Sequence, residues 1–225
     1  QIAPNITKPL PFIIPHTSKL RPAWLVRIGL FIYDHMGSKN QIPKSSSIKI
    51  QNKFKNLLKS NFIIGFQYYD LQVNDQELVK LNTSDAQKRG AKIFENLEVT
   101  KAIRKKDSWE IYFNNQKIVK SRILINATGP WVNKVIDEVL NLKKSKSIRL
   151  IKGSHIITKK LYDDEVAFTL QNIDNRIVFV IPYKKNYTLI GTTEIEVNSP
   201  NDKKNNSSEI EYLINCVNLY FVKQI

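Results

Sequence analysis

The sequence predicts a mixed α/β fold, in which helices and strands alternate in the middle of the chain and antiparallel strands dominate its end. Helical apolar patterns alternate with short apolar runs between residues 74 and 145. After residue 147, by contrast, apolar runs of strand length are separated by polar turns. The chain is 42% hydrophobic and 24% charged, which is the balance of a folded protein rather than a disordered one.

The first 73 residues combine proline-rich, helical and aromatic segments. Five prolines within the first 22 residues exclude a helix there and favour extended backbone. A helix is expected at residues 23–35, and the polar, basic stretch 39–60 predicts a loop and a surface helix. The short aromatic run at residues 66–73 predicts a strand.

Residues 74–145 show the alternation of helix and strand most clearly. Asn74 or Asp75 can cap a helix that runs to about Arg89, and Gly90 ends it. The further elements expected here are a strand at 91–96, a β-meander at 99–103, 109–113 and 116–119, a buried strand at 123–126 and a helix at 132–142. This order predicts a nucleotide-binding domain interleaved with a substrate domain.

Residues 146–225 are mainly β in pattern. The strands expected there lie at 153–158, 167–171, 176–182 and 187–193. A helix follows at 207–222, with Ser207 or Ser208 as its N-cap.

The chain is strongly basic, with a formal net charge of +15. Such a charge attracts nucleic acid, anionic lipid or anionic substrates, although a lysine coat that only confers solubility is an equally good explanation. The positive residues are spread out, so we expect no nucleic-acid partner. We also expect no signal peptide, no transmembrane helix and no metal site.

The most informative local motif is an apolar run that ends in small residues. Residues 123–126 lead into Ala-Thr-Gly at 127–129 and then towards a helix. Small residues allow a pyrophosphate or a flavin to approach the backbone, and N–H groups near a helix N-terminus suit anionic groups. An ordinary strand–turn–helix connection is the alternative that this motif alone leaves open.

A second motif clusters basic residues around a glycine. Arg149, Lys152 and His155 flank Gly153, which permits a close backbone approach. His155 could act as a general base or bind an anion. The alternative is a hydrogen-bonded histidine in a β-strand.

Taken in order, these segments resemble the FAD-dependent, aerobic respiratory glycerol-3-phosphate dehydrogenases. The strings that carry the resemblance are LRPAW at 20–24, RIGLFIYDH at 27–35, NATGPWV at 126–132, RLIKGSHI at 149–156, RIVFVIP at 176–182 and IGTT at 190–193. The resemblance extends over essentially the whole chain. It implies an internal piece of such an enzyme, with a glycine-rich FAD segment expected before Gln1 and further basic substrate ligands after Ile225.

The fold implied by the resemblance is an FAD-binding domain of the D-amino-acid oxidase and glutathione reductase type. It is interleaved with an antiparallel-sheet substrate domain, and both are incomplete. By this resemblance residues 74–145 belong to the FAD-binding domain, whereas residues 1–73 and 146–225 belong to the substrate domain.

The activity implied is the FAD-dependent oxidation of sn-glycerol 3-phosphate to dihydroxyacetone phosphate, with electrons passed to ubiquinone or another membrane quinone. The resemblance also implies peripheral contact with the cytoplasmic face of the inner (plasma) membrane, and it leaves a homodimer open. An amphipathic contact could come from residues 23–33, for which a packed helix is the alternative.

The same resemblance assigns roles to individual residues. His155 becomes the catalytic base or its partner, and Arg149, Lys152 and Ser154 become substrate ligands. The residues assigned to FAD are Val99, Ala127, Thr128, Gly129, Pro130 and Trp131. Two other functions stay open at this point: an inactive remnant of the same enzyme, and a basic module that binds nucleic acid or a membrane surface.

Overall fold

The computed structural model describes residues 5–36, 42–142, 148–202, 204 and 206–225. They form two compact units. Unit 1 comprises Gln1–Leu81, Gly153–Glu194 and Lys204–Ile225, and unit 2 comprises Asn82–Lys152 and Ile195–Lys203. The assignment of an FAD-binding role to residues 74–145 and a substrate role to the flanking segments stays a prediction.

The described elements confirm a mixed α/β chain. The strands are β1 (Thr7–His16), β2 (Ser46–Lys49), β3 (Ile64–Val73), β4 (Val99–Arg104), β5 (Trp109–Phe113), β6 (Ile118–Ser121), β7 (Ile151–Lys152), β8 (His155–Lys159), β9 (Ala167–Gln171), β10 (Ile177–Tyr183), β11 (Tyr187–Gly191) and β12 (Ile195–Glu196). The helices are α1 (Ala23–His35), α2 (Ile50–Lys53), α3 (Asp75–Lys88), α4 (Val132–Lys134) and α5 (Ser207–Tyr220). Within the described residues, no helix is both long enough and apolar enough to cross a bilayer.

Unit 1 is built on a seven-stranded sheet in the order β2-β3-β1-β9-β10-β11-β8. The proline-rich N-terminal segment is extended, as predicted, and becomes β1, which pairs antiparallel with β3 over ten residues. On its other side β1 meets β9 in parallel only at Phe12 and Ile13. The prolines of β1 do not interrupt its pairing with β3, although proline has no backbone N–H to donate.

Helix α5 and the segment around α2 cover the core of unit 1. Leu213, Cys216, Val217 and Tyr220 of α5 are buried at the spacing of one helical face. At the centre of this core the Phe168 ring lies 5.3 Å from the rings of both Phe54 and Phe221 and 5.1 Å from that of Tyr162, measured between centroids. Such edge-to-face aromatic packing adds to the stabilisation from burial itself.

Residues 39–60 contain a helix, as predicted, but it is the four-residue α2 and its apolar side chain is buried, so the predicted surface position is wrong. Residues 39–41 of this prediction lie outside the described residues. Ser46–Lys49 pairs with β3 as a strand. Ile50, Phe54 and Leu58 are fully buried in the main core. Ile50 begins α2, whereas Phe54 and Leu58 follow the helix, and the mostly polar residues between them conceal this apolar pattern in the composition.

Unit 2 contains the predicted meander, in which β4, β5 and β6 pair antiparallel in sequence order. Helix α3, whose C-terminal half belongs to this unit, is capped by Asn74, whose side chain accepts a hydrogen bond from the Glu77 backbone N–H at 3.1 Å. The helix ends at Gly90, where φ is +92°, and Ala91 N–H donates back to the Ala86 carbonyl at 3.0 Å. Both ends were predicted, the second as a glycine stop.

Two strands predicted for unit 2 are wrong. Residues 91–96 and 123–126 are not strands, and the side chains of Ile123 and Ile125 are 73% and 80% exposed. A strand requires a hydrogen-bonded neighbour, and no described strand pairs with either segment. The helix predicted at 132–142 is confirmed over Val132–Val139, where α4 continues into a π-helical turn at Val135–Val139, and a 3₁₀ turn at Gly129–Trp131 precedes it.

Candidate functional site

His155 begins β8, which is an edge strand of the sheet as described. In the pairing of β8 with β11 it lies opposite Gly191. A Cβ built on Gly191 would lie only 2.6 Å from His155 Cγ and 2.8 Å from Nε2, closer than real Cβ contacts. The imidazole therefore rests directly against the Gly191 backbone, and only glycine leaves room for it there.

The His155 imidazole is available for chemistry. The residue is exposed, and neither ring nitrogen hydrogen-bonds to a residue in the described part of the chain. Partial burial lowers the pKa of His155 below its ordinary value, because desolvation disfavours the charged ring. Near pH 7 the ring is therefore neutral and has one nitrogen that can accept a proton.

Ser154 lies beside His155 but is buried, and its hydroxyl is turned inwards. Ser154 Oγ donates to Glu209 Oε1 at 2.8 Å, and Ser154 N–H donates to Thr193 Oγ1 at 3.0 Å. The Thr193 hydroxyl donates to the same Glu209 oxygen at 2.8 Å. The structure therefore commits the Ser154 hydroxyl to a buried carboxylate, and its assignment as a substrate ligand stays a prediction.

Glu209 is the residue of this region that sequence reasoning missed. It is 2% exposed, and it belongs to a capping box at the start of α5. Asn206 Oδ1 accepts from Glu209 N–H at 2.8 Å, while Glu209 Oε2 accepts from Asn206 N–H at 3.2 Å. The caps predicted at Ser207 and Ser208 are therefore wrong, and the spacing of Asn206 and Glu209 was the signal that could have found both residues.

Arg149 and Lys152 lie in unit 2, whereas Ser154 and His155 lie in unit 1. Lys152 belongs to β7, which pairs with β12 opposite Ile195. Arg149 Nε lies 3.8 Å from Glu196 Oε2, and both side chains are largely exposed. An ion pair this exposed contributes little to stability, so the guanidinium can readily exchange its partner for another anion.

The small-residue turn at 127–131 is organised by Asn126. The Asn126 side-chain oxygen accepts from Thr128 Oγ1 at 2.7 Å and from Thr128 N–H at 3.3 Å, and its amide nitrogen donates to the Val132 carbonyl at 3.1 Å. Gly129 has φ +55°, and a Cβ built on it would meet nothing within 4 Å. All five residues of the turn are exposed.

The backbone of this turn fits a dinucleotide cofactor such as FAD. Small residues and open space at Gly129 allow a pyrophosphate or the edge of a flavin to approach closely. Val99 begins β4 at a bulge in its pairing with β5. The described residues form the turn without a paired strand in front of it.

Comparison with known proteins places the chain in a well-defined group. A sequence model of the family "FAD dependent oxidoreductase" matches residues 19–225. The chain is 41% identical to a glycerol-3-phosphate dehydrogenase of Pseudomonas aeruginosa, over 99% of this chain and 44% of that protein. It is 36% identical to a D-erythritol 1-phosphate dehydrogenase of Brucella abortus, over 99% of this chain and 46% of that protein. The chain thus spans less than half the length of these curated relatives.

A solved structure with the same fold is the glycerol-3-phosphate dehydrogenase of Bacillus halodurans complexed with FAD. It superposes on 98% of this chain and 41% of that chain, with a TM-score of 0.68 and 20% sequence identity. At this identity the likeness supports the fold alone, which agrees with the interleaved α/β fold predicted from the sequence.

Proposed function

Because this chain belongs to the FAD dependent oxidoreductase family, we propose that it forms part of an enzyme that oxidises sn-glycerol 3-phosphate to dihydroxyacetone phosphate. Bound FAD would take up the electrons and pass them to ubiquinone or another membrane quinone. The observation that carries the proposal is the His155 imidazole, which is exposed and held against Gly191 and whose pKa is lowered by partial burial. A base of this kind is what oxidation of a secondary alcohol requires.

His155 is the proposed catalytic base. Oxidation at C2 of the substrate breaks the C–H bond and the O–H bond of the alcohol and leaves a carbonyl group. FAD supplies the acceptor for the hydride, with its electron pair. The His155 ring nitrogen takes the hydroxyl proton and becomes an imidazolium, which later releases that proton to water.

Arg149 and Lys152 are the proposed ligands of the substrate phosphate. The phosphate is a dianion, and guanidinium and ammonium groups are its usual partners in proteins. Among the described residues, the partner that Arg149 can exchange for the substrate is the exposed Glu196 carboxylate, at 3.8 Å. The net charge of +15 also attracts anionic substrates from solution.

The proposed FAD contacts lie at the turn that follows Asn126. Ala127, Thr128 and Gly129 would face the cofactor with their backbone, and Pro130 and Trp131, which complete the 3₁₀ turn that Gly129 begins, would contact it as well. The backbone near Val99 would lie beside the adenine end of FAD. Since Gly129 already adopts a positive φ in open space, this segment needs no rearrangement of that residue to accept the cofactor.

Helix α1 is the proposed membrane contact at the cytoplasmic face of the inner (plasma) membrane. One face packs through Leu30 against Ile14 and Phe66, so the helix is anchored in unit 1. The helix also carries exposed apolar side chains, namely Trp24, Leu25, Ile28, Phe31 and Ile32, and Met36 directly after it is exposed as well. Exposed apolar side chains beside Lys19 and Arg21 suit the interface of an anionic bilayer.

The first test is flavin reduction by substrate in the purified whole protein. Under anaerobic conditions, glycerol 3-phosphate should bleach the visible absorbance of the bound flavin, whereas unphosphorylated glycerol should not. D-Erythritol 1-phosphate is the decisive competitor, because one relative is named for it. Faster bleaching by the erythritol compound would move the substrate assignment to that polyol phosphate.

The variant His155→Asn provides the control. It should keep its flavin and bleach it at least about 100-fold more slowly, since loss of a general base typically costs 10²- to 10⁴-fold. A quinone added to the reduced enzyme should restore the absorbance. A wild-type protein that binds no flavin would support the inactive remnant instead, and salt-sensitive DNA binding by that protein would support the basic binding module.

A further inference from the structure

We propose that Glu209 is a positioning residue for His155, an inference that rests on the proposed function and adds a residue to its machinery. Glu209 lies on α5, far along the chain from His155. Its Oε1 atom accepts hydrogen bonds from the hydroxyls of Ser154 and Thr193, each at 2.8 Å. Ser154 directly precedes His155, and Thr193 follows Gly191 by two residues.

The two segments that hold the imidazole therefore meet at one carboxylate oxygen. One segment carries the ring, and the other carries the glycine against which the ring rests. They are also joined directly, because Ser154 N–H donates to Thr193 Oγ1 at 3.0 Å and Thr193 N–H donates to the Ser154 carbonyl at 3.2 Å. The oxygen of Glu209 completes a closed ring of hydrogen bonds behind the site.

The packing around this ring leaves little freedom. A Cβ built on Gly153 would collide with the Thr192 hydroxyl and lie 3.4 Å from the Thr193 carbonyl oxygen. A shift of the 192–193 segment is therefore transmitted to the strand that carries His155. Because a displacement of about 1 Å in a catalytic group can cost 10²-fold in rate, the position of this carboxylate matters for chemistry that it does not touch.

Burial makes the carboxylate a rigid anchor. Glu209 is 2% exposed, and the capping box fixes its second oxygen, which accepts from Asn206 N–H at 3.2 Å. A buried carboxylate keeps its place only where donors surround it, and here the donors come from the helix start and from both segments of the site. α5 is in turn fixed to the core by Leu213 and Val217.

The test uses Glu209→Ala and Glu209→Gln in the whole FAD-bound protein, with Glu211→Ala as the matched control on an exposed position of the same helix. With kcat normalised to bound flavin, Glu209→Ala should lose about 10²-fold in kcat while KM changes little. Glu209→Gln should lose clearly less, because its side-chain oxygen can still accept from both hydroxyls. Glu211→Ala should match the wild-type protein.

A second readout does not depend on catalysis. Diethyl pyrocarbonate acylates exposed neutral imidazoles, and peptide mapping can follow the reaction at His155 alone. Glu209→Ala should change this rate several-fold, because the His155 ring is no longer held against Gly191, whereas Glu211→Ala should not change it. If Glu209→Ala keeps both the His155 rate and the flavin-normalised kcat within about twofold of wild type, the positioning role is overturned.

The two readouts separate the possible failures. If the wild-type protein does not oxidise polyol phosphates, the proposed function is wrong. The acylation rate would still report whether Glu209 positions His155. If the activity per protein falls only in proportion to the bound flavin, and the acylation rate is unchanged, Glu209 supports the fold alone.

Discussion

The two units of the chain differ in how completely they bury their apolar residues. Of the buried hydrophobic side chains among the described residues, all except Ala102 and Ile111 belong to unit 1. In unit 2, by contrast, the exposed fractions are 48% for Phe94, 73% for Ile123 and 80% for Ile125.

This difference shows that an apolar segment is buried only where the chain also supplies its neighbour. Each strand of the large sheet has a partner, and α5 and the segment around α2 close the sheet on one face. The apolar run at 123–126 has the composition of a buried strand but no paired strand beside it in the described residues. Unit 1 should therefore hold most of the stability, since buried apolar area is the main favourable term in folding.

The largest expected effect is on the free energy of unfolding when a core aromatic is removed. Phe168→Ala should cost about 3 to 5 kcal/mol, because the ring is fully buried among three aromatic neighbours. The matched change in unit 2, Ile125→Ala, should stay within about 0.5 kcal/mol, since its side chain is 80% exposed. Urea denaturation of each variant measures both values.

Equal costs at the two positions would contradict the comparison between the units. They would show that Ile125 is covered in solution, by another part of the protein or by the cofactor. A cost at Ile125 that appears only when FAD is present would assign the cover to the cofactor.

The next effect concerns local opening of the backbone. Limited proteolysis should cut unit 2 within or near residues 121–128 well before it cuts β9 or β10, because exposed segments without ladder hydrogen bonds open at little cost. Mass spectrometry of the first fragments identifies the site. Added FAD should slow this early cut if the turn after Asn126 binds the cofactor, and a first cut within the large sheet would reverse the order of stability inferred here.

A smaller effect is expected in the pH dependence of flavin reduction. Only neutral His155 can accept the substrate proton, and its pKa is lowered by partial burial. As the pH falls, activity should therefore persist below the ordinary histidine pKa of about 6.5 before it declines. Profiles of kcat/KM between neutral and acidic pH test this.

The control for the pH profile is His155→Asn, whose residual activity should lack this acidic limb. An acidic limb at or above about pH 6.5 in the wild-type protein would argue against a desolvated histidine as the base. A limb that persists unchanged in His155→Asn would assign the titration to another group.

The sequence could predict the elements whose patterns are local and whose partners lie within the chain. Helix α1, the meander of unit 2 and strands β9 to β11 all appear close to their expected bounds. The burial of Ile50, Phe54 and Leu58 was hidden by the lysines and asparagines between them. The strand predicted at 123–126 is wrong for the opposite reason. Its apolar composition indicates burial, but composition cannot show whether a neighbouring strand is present to pair with it.

The site could be predicted only in part. Gly153 and His155 stand out in the sequence because a glycine two residues before a histidine permits a close approach of the backbone there. The sequence does not indicate that the Ser154 hydroxyl points inwards, since this orientation depends on Glu209, which is 55 residues further along the chain. The spacing of Asn206 and Glu209 predicts a capping box, but the second use of that carboxylate arises from tertiary packing.

The smallest expected effect comes from two glycines with equally open surroundings, one in each unit. A Cβ built on Gly29, within α1, or on Gly90, after α3, would meet nothing within 4 Å. Gly29 has helical backbone, so Gly29→Ala should stabilise the protein by about 0.4 to 1 kcal/mol by restricting the unfolded chain. Gly90 has φ +92°, so Gly90→Ala should instead destabilise by about 1 to 2 kcal/mol. Thermal unfolding of both variants tests this, and the same sign of shift in both would show that space, rather than backbone conformation, decides the effect at these two positions.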